Sequence, residues 1–272
     1  MVEGQGDLFD SGNAPDPRSE RPQPRPEAPA SPLPRPEELD DTTLIRLIGE
    51  RRTHDVVALA DEAGRRGLAA AIPALEEQCR AHAGWGEDSV IGPQVAALRA
   101  LGQIGGPAAR MAVSRLVAHR VVRGPGLAVA FSIAAGLQAK VPPELVLEGL
   151  HNPEPAIRAA ACALAHTPPR TAARLTDLLS DLHGAVRLAA ACALGRMGEV
   201  AARPHLLIAL RQSATRDVIA SLAPIADETV MVHLGQAATR SPCLAASIIA
   251  VLEDLDHPRA ARIAERLKRA SA

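Results

Sequence analysis

The residues able to do chemistry are few and scattered. Nine histidines and four cysteines occur among the 272 residues, and no two cysteines form the C-x-x-C pair that grips zinc. Cys79, Cys162, Cys192 and Cys243 are therefore expected to be small buried hydrophobes in a reducing compartment. His151, His183 and His257 recur beside Asn, Gly and Pro, where solvated turn histidines are expected rather than metal ligands. No G-x-S-x-G elbow presents a nucleophile, and no glycine-rich phosphate loop opens a helix. The spacing predicts no catalytic residue, no metal site and no cofactor.

Two other sets of residues are suited to binding. Between Asp88 and Glu144 there is no acid, while Arg99, Arg110, Arg115, Arg120, Arg123 and Lys140 fall there. Of these, Arg110, Arg115, Arg120 and Arg123 are the candidates for nucleic-acid phosphates, read without sequence specificity. Five-residue steps turn about 140° around a helix, so Arg110, Arg115 and Arg120 do not make one stripe, and a solvated face is expected. Phe9, Trp85 and Phe131 are the only aromatics, too few for base stacking.

The second set is Gln5-Gly6-Asp7-Leu8-Phe9, an apolar pair in an otherwise polar segment, with an amide beside it. It resembles the pentapeptide Gln-Leu-Asp/Ser-Leu-Phe, by which bacterial replication and repair proteins dock on the DNA sliding clamp. Gly6 is the one departure. The resemblance implies that Leu8 and Phe9 fill a hydrophobic pocket, Gln5 hydrogen-bonds, and Asp7 fixes the peptide's turn.

The rest of the chain must position these sets. Residues 1–40 hold nine acids and four arginines, leaving 26 basic and 22 acidic residues beyond, an excess of about four that is too small to signal nucleic acid by itself. Nine prolines lie between Pro15 and Pro36, which predicts a disordered, partly polyproline-II tether over 13–38 behind the motif segment 1–12. No signal-peptide core or membrane span is visible, so a cytoplasmic protein is expected. Arginine far outnumbers lysine and Ala and Pro are abundant, as in bacterial proteins from GC-rich genomes. With 47% apolar but 1% aromatic residues, the core must be built from Ala, Leu, Val and Ile, which predicts helices.

Helices are expected from Asp40-Asp41, over His54–Arg65 and over Leu68–His82. They make an N-terminal helical cap at 39–88 before a repeat array at 89–272. Ala156-Ile157-Arg158 followed by Ala159–Leu164 returns as Ala185-Val186-Arg187-Leu188 followed by Ala189–Leu194, about one 30-residue unit later. Ala100–Gly105 likewise resembles Ala193–Gly198. Units divide at Gly105-Gly106-Pro107, Val141-Pro142-Pro143, Pro168-Pro169 and Gly198, with inter-unit turns at His151–Pro153, His183-Gly184 and Asp256–Pro258, giving six helix pairs.

This pattern resembles the short HEAT repeats, of the type also seen in phycobilisome-lyase-like proteins, and implies an all-α, right-handed α-solenoid. One HEAT-repeat hydroxylase family holds iron through His-Glu dipeptides, but no histidine here is followed by Glu. The expectation is a scaffold that binds a protein partner, with the sliding clamp as a second partner and no membrane. The alternatives are a DNA-binding or DNA-repair protein using 99–140 and a lyase-like modifying enzyme.

Overall fold

Asp40 caps the first α-helix where the sequence places it, after a single 3-10 turn at Pro36–Glu38. Its carboxylate accepts the Thr43 backbone N–H at 3.0 Å and the Thr43 hydroxyl at 2.6 Å, capping α1 (Asp41–Gly49). The structure is a computed structural model that describes residues 35–50, 56–165 and 169–271. The pentapeptide Gln5–Phe9 and nearly all of the proline-rich stretch lie outside the described residues. Helix α2 is seen from Val56 to Arg65, His54 being outside that set. Helix α3 (Ile72–Ala81) starts later than expected, because Ala69–Ala71 forms a single 3-10 turn and Pro73 occupies the first helical turn.

Twelve more helices follow, in six pairs: α4 (Gly92–Ile104) with α5 (Gly106–Ala118), α6 (Gly126–Gly136) with α7 (Pro143–Leu150), and α8 (Pro155–Leu164) with α9 (Pro169–Leu178). Then come α10 (Gly184–Arg196) with α11 (Arg203–Gln212), α12 (Arg216–Leu222) with α13 (Glu228–Arg240), and α14 (Ala245–Asp254) with α15 (Pro258–Ser271). No strand occurs among the described residues. The expected breaks within the first four pairs stand where glycine or proline placed them. The exception is Asp256–Pro258, which joins the two helices of the last pair and does not separate units.

The helices form two layers. The even-numbered helices from α2 to α14 pack one against the next, and the odd-numbered ones form a second, looser layer. Small side chains explain the tight layer: Ala190 to Leu194 of α10 are all buried, and so are Ala160 to Cys162 of α8. At Gly195 the approach is closer still, since an added Cβ would lie 2.4 Å from the Ser221 carbonyl oxygen of α12 and 2.7 Å from Leu206. Only glycine fits there. Residues 36–272 form one unit, in which α2 and α3 pack on α4.

The Ile/Val-Arg signature of the repeat is structural. Ile157 and Val186 are buried, while the arginine that follows each ties down a turn. Arg158 donates to the carbonyls of Asn152 (2.9 Å) and Pro153 (2.7 Å), and it clamps Asp181 of the next turn at 2.9 and 3.0 Å. Arg187 does the same for the carbonyls of Asp181 (2.7 Å) and Leu182 (3.0 Å). Arg158 and Asp181 are about nine-tenths buried, and the guanidinium holds the Asp181 carboxyl down at about 2. At the start of the unit Arg66 donates to the carbonyls of Pro36, Glu37 and Leu39 and pairs with Glu62, which Arg65 and Arg66 together hold at about 2.

Candidate protein-binding groove

The looser layer has a gap where α5 and α7 fail to pack closely. Helix α7 has only eight residues, and Pro142 and Pro143 direct the chain into it without a continuous helix from α6. The resulting groove encloses about 900 Å3. Val141, Val146, Leu164 and Ala165 give it an apolar lining, and His119 and Lys140 stand at its polar edge. Ser114 of α5 donates to the Lys140 carbonyl at 2.9 Å, which pins the α6–α7 loop across the gap. A second cavity of about 430 Å3 opens between the same two helices over Phe131.

Two backbone positions at this gap are strained. Among the described residues, Arg120 and Gln138 are the non-glycine residues with positive φ, at 52° and 53°. Each follows a helix end: the Val121 N–H reaches back to the Leu116 carbonyl and the Ala139 N–H to the Ala134 carbonyl. This geometry normally selects glycine, as at Gly67 and Gly198. Arg120 gains an ion pair with Glu148 at 2.7 Å, whereas the Gln138 amide lines the groove with no partner among the described residues. Gln138 was not among the residues the sequence singled out; its only signal is that it stands where glycine would.

The basic region 99–140 is not bare. Arg115 grips Glu76 of α3 with two hydrogen bonds of 3.0 and 2.6 Å, Arg120 pairs with Glu148, and Arg123 pairs with Glu87 at 3.3 Å. Arg115, then Arg80, holds the Glu76 carboxyl below its usual range, and Arg120 does so for Glu148. Arg110 alone of the four candidates has no acid against it among the described residues, so the structure does not bring the four together as a free cationic face. The absence of acids in the sequence window is filled in space by acids from other segments.

The remaining candidates are also placed. Cys79, Cys162 and Cys192 are buried, and burial pushes the first two thiols up to about 12 and the third in the same direction, which makes them unreactive. Cys243 departs from expectation: it is exposed, because Pro242–Leu244 is a surface 3-10 turn. His151 and His183 keep to turns, with Nδ1 near the Leu147 carbonyl (2.9 Å) and near Asp181 (3.4 Å). Among the described residues no three His, Cys, Asp or Glu side chains are grouped to hold a metal, and no helix is long and apolar enough to cross a membrane.

Residues 143–224 match the family model for HEAT repeats. That segment, α7 to α12, is of the HEAT-repeat type. The match begins at the first residue of α7, one wall of the groove. The crystal structure of the Escherichia coli protein YibA is similar at 15% identity and a TM-score of 0.39, over 86% of this chain and 94% of that one. No curated protein matches the chain.

Proposed function

We propose that this protein is a non-enzymatic adaptor whose HEAT array holds a protein partner in the α5–α7 groove. The observation that carries this reading is the gap itself, apolar within and edged by Lys140, which has no acid partner among the described residues. Its fitting occupant is a segment with apolar anchors flanked by carboxylates: the anchors displace water from the lining, and the carboxylates meet Lys140 and His119. The unpaired Gln138 amide offers a hydrogen bond at the groove wall.

In the same proposal Gln5-Gly6-Asp7-Leu8-Phe9 recruits the array to the bacterial DNA sliding clamp, and the proline-rich residues 13–38 set the effective concentration between the two sites. A labelled peptide of residues 1–14, titrated with purified clamp beside a Leu8→Ala/Phe9→Ala control, tests the recruitment. Saturable binding in the micromolar range, lost in the control, is expected. Absence of binding removes recruitment and leaves the scaffold. The reading as a nucleic-acid protein through 99–140 is not favoured, because Arg115, Arg120 and Arg123 already face carboxylates. No constellation favours the lyase-like reading.

A further inference from the structure

Among the described residues, α15 carries a row of arginines on one helix face of which most have no acid partner. Arg259, Arg262, Arg266 and Arg269 are spaced three, four and three residues apart, so at 100° per residue all four fall within about 80° of the helix circumference. They run along about 15 Å of the helix. Arg259 is paired with Glu228 of α13, while Arg262, Arg266 and Arg269 meet no carboxylate among the described residues. Glu265 borders the stripe but is drawn to Lys268, which lies on the far side with Glu253. Arg259, Arg262 and Arg266 also line an open groove of about 630 Å3 with Glu228, His257 and Ile263, Glu228 being the partner of Arg259.

From this geometry we infer that α15 is a docking stripe for the phosphodiester backbone of duplex nucleic acid. The cations are arginines, whose planar forks match phosphate oxygens in a way that a point charge does not. A 15 Å stripe covers about four phosphates of one strand at 3.4 Å each. A lipid surface is a poorer fit, because the apolar face of α15 (Ala260, Ile263, Ala264, Leu267) is buried and cannot enter a bilayer. An acidic protein is also a poorer fit, since no large hydrophobic residue is exposed on α15 to anchor an interface. What is left to gain is counterion release, which is what a polyanion supplies. With no aromatic side chain on α15, bases are not stacked, and binding is to the backbone whatever the sequence. This stripe is independent of the α5–α7 groove.

The test uses the full chain and a labelled 20-base-pair duplex, with anisotropy followed from low to moderate salt. The triple variant Arg262→Gln/Arg266→Gln/Arg269→Gln is expected to bind at least roughly tenfold more weakly and to lower the slope of log K against log salt by about 2.7, three phosphate contacts at about 0.9 each. The triple Arg→Lys variant keeps the charge and is expected to retain most of that slope, which separates electrostatics from misfolding. Arg110→Gln on α5 and Lys268→Gln on the far side of α15 are expected to change nothing. The proposal is overturned if the glutamine triple binds duplex like the parent, or if the loss follows Arg110 instead. It is equally overturned if the parent binds phosphatidylserine vesicles or polyglutamate as tightly as duplex at the same salt.

Discussion

Two regions of this chain are rich in arginine, and their circumstances are opposite. Around α5 the sequence holds no acid from Ser89 to Pro143, yet Arg115, Arg120 and Arg123 are all paired. On α15 one acid, Glu265, is interleaved with the arginines, yet Arg262, Arg266 and Arg269 meet no carboxylate among the described residues. The repeat explains the inversion. A side chain in a HEAT array meets residues roughly one unit away, so the acids that matter are some 30 positions distant, outside any local window. Arg115 finds Glu76 at a separation of 39, Arg123 finds Glu87 at 36 and Arg120 finds Glu148 at 28. Arg259 finds Glu228 at 31. The same step of 31 from Arg262, Arg266 and Arg269 leads to Met231, Gly235 and Ala238, none of which carries a carboxylate.

A sharper form of the comparison sets the buried arginine ties against both surface groups. Arg158→Ala removes the clamp on two turns and leaves the Asp181 carboxylate buried without its cation, holding the His183 backbone N–H. The expected loss is about 3 kcal/mol, read from the urea midpoint at unchanged slope, because a stranded buried charge costs far more than a lost surface pair. A loss near zero would mean that the turns hold themselves and that the arginine of the repeat is not a tie.

The same ties set the response to acid. Asp181 and Glu62 are held at about 2, below their values of 3.8 and 4.5 without partners. A carboxylate depressed by folding contributes stability that is complete above its unfolded pKa and vanishes as pH falls through the folded one. The unfolding free energy should therefore be flat from neutrality to about pH 5 and decline toward pH 2. Asp181→Asn should make that decline shallower, and an equally steep decline in the variant would assign the acid sensitivity elsewhere.

The legible part of this protein is what repeats. Ala159–Leu164 and Ala189–Leu194 announce helices that must approach closely, and Gly105-Gly106 and Pro142-Pro143 announce where each pair divides; the structure places both as read. The repeat arginines were visible as a motif, but not as turn ties, because their carbonyl acceptors carry no side-chain signature. The α5–α7 groove was illegible for a different reason: it is a missing contact, and a sequence shows which surfaces are apolar, not which fail to meet. The α15 stripe obeys a plain helical spacing but is interrupted by Glu265, so it hides from a search for acid-free runs. The turn at Asp256–Pro258 has the look of His151–Pro153, yet one joins a pair and the other separates two, since proline stops a helix without saying which layer comes next.

Within the surface groups the expected effects are smaller and different in kind. Arg115→Ala breaks a bidentate pair in which the arginine is about half exposed and Glu76 is mostly covered, so about 1 kcal/mol should be lost. Thermal unfolding at low and high salt would register it, with the difference shrinking as salt screens the pair.

Arg262, Arg266 and Arg269 complete the series. Their side chains are exposed and make no ion pair among the described residues, so each change to glutamine should shift stability by no more than about 0.5 kcal/mol. The triple change is expected to be close to neutral, because relief of repulsion between arginines at neighbouring turns offsets the lost attraction of Arg269, in the last turn of α15, for the helix C-terminus. Charges that stabilise the fold are explained by the fold, as at Arg158 and Arg115. Charges gathered on one face with no stability gained from them are free to serve a partner outside it. A triple variant that melts well below the parent would return these arginines to the structural class and erase the contrast between the two ends of the array.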